Sequence, residues 1–232
     1  MSNEIVKKDQ NLFVANPETL DLQEELAGLN IKFDKIKVPS GGSLAFEVPG
    51  DNPDEPELQK EFKAVILYQH PMLSYYKEKY TGGNEAPDCS SLDGINGIEK
   101  ETGCVQSCKD CPYAKFGSGE NGGKACKTRR RLFILRENEM FPSIFSVPTS
   151  SLNDYSSYVF SLIKKGRKLN QVVTKFSLKK ATSGTGITYS KVVLAYDRDL
   201  NEAEKENIAK MTEQVKSIAY TINETDQVES EE

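Results

Sequence analysis

All five cysteines of the 232-residue chain, Cys89, Cys104, Cys108, Cys111 and Cys126, fall within residues 81–126, a stretch dense in Gly, Ser, Asn and Asp with almost no aliphatic periodicity. A compact domain seldom carries a loop of that length without elements of its own unless something else orders it. Burial of apolar side chains cannot supply that order here, which leaves the thiols.

The N-terminal residues MSNEIVKKDQ contain no apolar h-region, and no apolar run approaches the roughly 20 residues of a membrane span. The expectation is an intracellular, reducing setting, where clustered cysteines bind metal more often than they form disulfides. Cys108 and Cys111 form C-x-x-C, which presents two thiolates on one turn. Cys89 and Cys126 flank that knuckle almost evenly, with 18 residues before Cys108 and 14 after Cys111. Four thiolates around one Zn²⁺ make a closed, structural site, and the binding free energy becomes folding free energy. We select Cys89, Cys108, Cys111 and Cys126 as ligands of one structural ion, with Cys104 as the alternative to Cys89. An iron–sulfur cluster uses the same ligand type, whereas a redox C-x-x-C lacks its βαβ context here.

The net charge of −5 hides a segregation. Residues 109–191 hold 16 Lys and Arg against 5 Asp and Glu, and no acidic residue occurs from Tyr155 through Tyr196. The middle of the chain carries +11 and the remainder −16. A basic block of that size is the footprint of a polyanion site, unless it pairs with the acidic ends of its own chain. Lys124, Lys127, Arg129, Arg130 and Arg131 follow the knuckle, together with Lys115; Lys165, Arg167 and Lys168 close an internal helix; Lys175 and Lys179 lie on a late strand. Tyr75, Tyr76, Tyr113, Phe116 and Tyr189 are the aromatics placed to stack bases, and Tyr80 belongs with them. Cationic groove plus aromatic platforms is the physical recipe for single-stranded nucleic acid.

Catalytic signals are missing. His70 is the only histidine and stands beside Pro71, which favours packing over ligation and leaves no case for a Ser-His-Asp triad. GSGENGGK departs from the phosphate-loop spacing at Ser118 and Ala125. No paired acids occur in the basic half. The reading is a binding protein and not an enzyme.

Along the chain, residues 1–30 form a polar N-terminal segment, with a short helix expected in NPETLDLQEELAGL. IKFDKIKV and SLAFEV alternate as strands around a turn, and EFKAVILYQ is a strand whose pattern breaks at Pro71. RRLFILR and SIFSV are strands. TSSLNDYSSYVFSLIKKG is a helix capped by Ser or Thr, with Leu152, Tyr155, Val159, Leu162 and Ile163 on its apolar face and a stop at Lys164–Gly166. NQVVTKFSLKKA and ITYSKVVLAYD form a hairpin around TSGTG, with Val173 and Lys175 on one face, solvated or binding, and Val172, Thr174, Phe176 and Leu178 on the other. A long amphipathic helix over 201–220, capped by Asn201 or Asp199, precedes an acidic tail at 221–232. Residues 31–200 without the insertion at 81–126 read as an α+β, mainly β, domain. A helix between the third and fourth strands gives the order of a five-stranded OB-like barrel.

The ordered set PDCSSLDG, CKDCPYAKFGSG, GGKACKTRRRLFIL and LNQVVTKFSLKK…GITYSKVVL resembles single-stranded DNA-binding proteins of bacteriophages and mobile elements that carry a zinc-bearing insertion in an OB-fold. The resemblance covers residues 60–197, and the cysteine frame is its specific part. It implies zinc at Cys89, Cys108, Cys111 and Cys126, with Cys104 outside the pattern. It also implies coating of single strands during replication or recombination, and an acidic C-terminus that contacts the proteins of those processes. The expected location is then the cytoplasm of a bacterial host. The rival expectation is a zinc-ribbon adaptor or transcription regulator that binds duplex DNA or an acidic protein partner.

Overall fold

The pattern in EFKAVILYQ does not end at Pro71. In the computed structural model the strand runs fifteen residues, to Tyr75. The structure describes residues 33–39, 41–50, 52, 55–78, 87–184 and 186–219. The expectations for the N-terminal segment 1–30, for Tyr80, for residues 81–86 and for the acidic tail 221–232 lie outside the described residues. In chain order the elements are β1 (Lys35–Ile36), β2 (Phe46–Val48), β3 (Glu57–Gln59), β4 (Glu61–Tyr75), β5 (Cys89–Ser91), β6 (Asn96–Glu99) and β7 (Val105–Ser107). They continue with β8 (Lys127–Arg136), β9 (Ser143–Val147), α1 (Leu152–Ile163), β10 (Val172–Thr182), β11 (Thr188–Asp199) and α2 (Glu202–Ala219).

Nine of the strands form one sheet, and β2 pairs separately with β3. β4 and β8 run antiparallel from Ala64↔Arg136 to Ser74↔Lys127 and form the spine. β9 and then β1 extend the sheet beyond β8, with β1 parallel to β9. The other edge of β4 is divided. Its first residues pair with β10, which carries β11, and its last three pair with β5, which carries β6 and β7. Pro71 falls in the part of β4 flanked by β8 alone, the single-edge setting in which a strand tolerates a missing N–H. The fold is therefore α+β and mainly β, with a large sheet and a C-terminal helix. No ladder among the described residues closes the sheet into a barrel.

Both faces of the sheet are buried. Val65, Leu67, Phe133, Leu135, Ile144 and Val173 pack with Ile208, Val215 and Ala219 of α2. Ala64, Ile66, Leu132, Ile134, Phe145 and Phe176 pack with Phe46 and Val48 of β2 and with Tyr155 of α1. Val173, expected on a solvated face with Lys175, is thus core, because α2 covers that end of β10. A register shift between Ile66 and Tyr68 changes the inside–outside phase of β4 and returns Tyr68 to the α2 face. Residues 87–126, expected to lack elements, contain β5, β6, β7 and two 3-10 turns, at Pro112–Ala114 and Glu120–Gly122. Strands of three or four residues are too short to leave a hydropathy period. No helix of the described residues is long and apolar enough to cross a membrane.

The helices depart from expectation in detail. Ser151 precedes α1, but its hydroxyl accepts the Val192 N–H at 3.0 Å and does not cap the helix. Ile163 is 60% exposed, whereas Tyr158 is buried, its hydroxyl 2.6 Å from Thr174 Oγ1. At α2 the cap is Asn201. Its Oδ1 accepts the Glu204 N–H at 2.9 Å, and Glu204 Oε2 accepts the Asn201 N–H at 3.0 Å, a reciprocal capping box. Glu204 is 0% exposed and takes two hydrogen bonds from Arg198, at 2.8 and 2.9 Å. Burial alone would raise its pKa, but the Arg198 hydrogen bonds, the Asn201 N–H and the Arg198 charge outweigh it and hold the carboxyl below its ordinary range.

Removing the Glu204 side chain takes away the two hydrogen bonds from a partly buried arginine and the one from the Asn201 N–H. Glu204→Ala is expected to cost about 3 kcal/mol in urea unfolding at neutral pH, and Asn201→Ala about 1 kcal/mol. The native pKa of Glu204 is depressed, so its contribution is complete above the unfolded value and lost as pH falls through the native one. The stability gap between the wild type and Glu204→Gln should accordingly close on acidification, and a gap that stays constant to low pH would contradict the ion pair.

Candidate metal centre and nucleic-acid interface

Four cysteines arrive at one cavity from four directions. Cys89 opens β5, where its ladder partners are Tyr75 and Glu99. Cys108 follows β7, and its N–H donates to Ile95 O at 2.8 Å. Cys111 enters the 3-10 turn Pro112–Ala114, its carbonyl accepting the Ala114 N–H at 3.1 Å. Cys126 immediately precedes β8, and its N–H donates to Tyr113 O at 2.8 Å. All four line the same cavity with Gln106, Tyr75 and Tyr113. Among the described residues no three His, Cys, Asp or Glu side chains are already closed to ligand spacing.

Their electrostatics agree with that convergence. Burial pushes the Cys126 thiol up to about 11, and Cys111, Cys108 and Cys89 each oppose its ionisation further. Burial also raises Cys89, a Gln106 hydrogen bond opposes the rise, and Cys108 and Cys111 add to it. Cys108 is raised by burial against the neighbouring Ser91 hydroxyl. Four thiols gathered in a partly dry cavity are a donor set whose charge, once they ionise, a soft dication offsets. The backbone leaves room for it: a Cβ on Gly97 would lie 3.0 Å from Cys89 Sγ and 3.3 Å from Cys108 Sγ. The donor set and this close approach fit a four-cysteine Zn²⁺ site. Cys104 stands apart, exposed where the chain enters β7, its N–H donating to Thr102 Oγ1 at 3.1 Å. His70 is buried on the α2 face of β4, its Nδ1 2.9 Å from Pro71 O and its pKa lowered chiefly by burial, and it is not part of this lining.

Between Cys111 and Cys126 the glycine-rich run folds on one hydroxyl. Ser118 Oγ accepts the Ala125 N–H at 3.0 Å and lies within hydrogen-bond distance of Lys115 O and Tyr113 O. Gly119 permits the closure, since a Cβ there would meet the Ala125 nitrogen at 2.7 Å. The loop thereby presents Phe116, 82% exposed, with Lys124 Nζ 4.9 Å above its ring. Tyr113 stacks on Tyr75 at 4.1 Å, which joins the loop to the end of β4, and the Tyr75 phenol is raised by burial and by its hydrogen bond with Tyr113.

The candidate contacts divide into those the structure brings together and those it commits elsewhere. Lys115, Phe116, Lys124 and Lys127 cluster beside the cysteines, and Lys127 Nζ donates to Lys124 O at 2.8 Å. Arg129 and Arg130 continue along β8, partly exposed. Arg131 does not join them. It is 1% exposed, and its guanidinium donates to Met72 Sδ at 3.0 Å, because the odd-numbered side chains of β8 face α2. Arg167 is clamped by Asp199 at 2.7 and 2.9 Å and stacks on Tyr196, which holds the Asp199 carboxyl down at about 2. Lys175 pairs with Glu61 at 2.7 Å. Lys165, Lys168 and Lys179 are exposed, and Tyr76 and Tyr189 are half-buried. The features that sequence reasoning missed are Gly97 and Gln106, which no motif marks, since their role comes from being cross-strand partners in the β6–β7 hairpin.

No family model, curated protein or solved structure matches the chain.

The placement of the thiols makes an order of reactivity. In metal-free protein at mildly alkaline pH, Cys104 should be alkylated first and Cys126 last, read by mass spectrometry of quenched time points. Early modification of Cys126 would contradict the buried position given to it.

Proposed function

We propose that this protein binds single-stranded DNA without catalysing a reaction, and that it coats and protects single strands during phage replication or recombination. The observation that carries the reading is Phe116, an aromatic ring 82% exposed with a lysine ammonium held over it. Lys124 stabilises the ring as a cation–π partner and leaves it open to a nucleobase, whose stacking contributes about 1–3 kcal/mol whatever the sequence. Lys115, Lys127, Arg129 and Arg130 supply charge beside it and along β8 for the phosphates. In this reading Cys89, Cys108, Cys111 and Cys126 hold one structural Zn²⁺. What the ion contributes is order in a segment with little apolar core of its own. The acidic residues 221–232 are the segment we assign to replication or recombination proteins.

The finer fold reading rests on element order. β4, β8, β9, α1, β10 and β11 give three strands, a helix and two strands, the succession of a five-stranded OB-like domain. The resemblance to zinc-bearing phage single-stranded DNA-binding proteins is the same proposal stated at family level. A second reading, a zinc-ribbon adaptor, is favoured by the outer face of the β6–β7 hairpin, where Ile98 and Val105 pair across the strands and are exposed with Ile95 nearby.

Fluorescence anisotropy on labelled poly-dT across a salt series tests the proposal. The wild type should bind single strands in preference to duplex, with affinity that falls steeply with salt. Phe116→Ala should weaken single-strand binding about 5- to 150-fold, the loss of one base stack. Arg129→Ala with Arg130→Ala should lower the log–log salt slope by about 0.7 for each phosphate contact removed. Preference for duplex at equal ionic strength, or a flat salt response, would overturn the proposal and move the adaptor reading to the front.

A further inference from the structure

The β6–β7 hairpin has two unlike faces. Ile98 and Val105 look outward, while the neighbouring rung, Gly97 paired with Gln106, looks toward the cysteines. On that rung Gly97 gives the Cys89 and Cys108 sulfurs room to approach, and Gln106 Nε2 donates to Cys89 Sγ at 3.6 Å. One position has no side chain and the position opposite supplies an amide, both aimed at the same sulfur. Packing does not require the glutamine, since Gln106 is otherwise an exposed residue on a three-residue strand.

Building on the metal reading above, we infer that Gln106 is a positioning residue for the four-cysteine site, and that its side-chain N–H offsets the charge the thiolates keep when a dication is bound. Four thiolates and one dication leave a net charge of about −2 in a cavity partly closed to water. The Gln106 amide is placed to offset that charge at Cys89, where its Nε2 lies 3.6 Å from Sγ. The Ser91 hydroxyl also stands beside Cys108, but it has one proton to give and Asp93 Oδ1 lies 3.0 Å away. Among the described residues, the side-chain hydrogen bond of the Gln106 amide is the one to Cys89 Sγ. Outer donors of this kind orient and stabilise ligating groups, and their loss typically costs 10–100-fold in metal affinity.

The experiment uses the full chain loaded with Co²⁺, whose sulfur-to-metal charge-transfer absorption reports thiolate ligation directly. Affinity is measured by competition with a chelator for the wild type, Gln106→Leu, Gln106→Glu and, as a control on the outward face of the same strand, Val105→Ala. Gln106→Leu should weaken Co²⁺ binding about tenfold or more and shift the charge-transfer band. Gln106→Glu, close in shape but without the donor, should do so at least as strongly. Val105→Ala should leave both readouts unchanged. Wild-type affinity in both Gln106 variants would overturn the role of Gln106 and leave the metal site standing. Full affinity in Gln106→Glu alone would assign the effect to side-chain shape and overturn the donor. Absence of charge-transfer absorption in the wild type would overturn the metal reading and this inference with it.

Discussion

One antiparallel ladder, β4 against β8, carries both parts of the molecule. Its first half is a wall of the core, apolar on both faces because α2 covers one and α1 with β2 covers the other. Its second half holds the cysteine segment at three places: the β5 ladder on Leu73–Tyr75, the entry of Cys126 into β8, and the Tyr75–Tyr113 stack. Register in the first half is fixed by two buried faces, since a slip of one residue would exchange their apolar sets. The second half inherits that register, so the arrival of Cys89 and Cys126 at one cavity follows from packing in the main core.

The charge segregation has a physical resolution that the totals conceal. Part of the basic block is spent inside the molecule. Arg167 and Lys175 pair with Asp199 and Glu61 from outside the block, Lys191 pairs with Asp154, and Arg131 is interior. Among the cations that stay exposed, Lys115 and Lys127 lie beside the cysteines with the half-buried Lys124, and Lys165 and Lys168 lie just beyond α1. A polyanion would meet local clusters and not a uniform field, which gives electrostatics a means of setting where a strand lies as well as how tightly it is held.

Much of this was legible in the sequence, for reasons that differ by element. β9 matches SIFSV residue for residue and β10–β11 match their hairpin signals, because alternation and turn residues agree there. The full length of β4 is not legible, because Pro71 signals a break wherever both strand edges are paired, and sequence does not reveal that one edge is open. β5 to β7 were invisible because three-residue strands have no period. The four-cysteine grouping was readable from spacing and residue type, whereas Gly97 and Gln106 were not, since pairing in a hairpin is a three-dimensional fact. The interior position of Arg131 is not legible in the sequence, because a charge run conceals the alternation of the strand that contains it.

Where Met72 pairs with Arg129, the sheet is at its narrowest: β10 has left β4 at Val65, β9 has left β8 at Arg130, and β5 begins only at Leu73. A two-stranded ribbon is held along its length by its ladder yet takes up more twist than a wider sheet. The narrowing therefore acts mechanically as a torsion element between two broader plates. At this waist the connection between the core and the end that carries Phe116 is one rung wide, with Met72 Sδ accepting from the Arg131 guanidinium beside it.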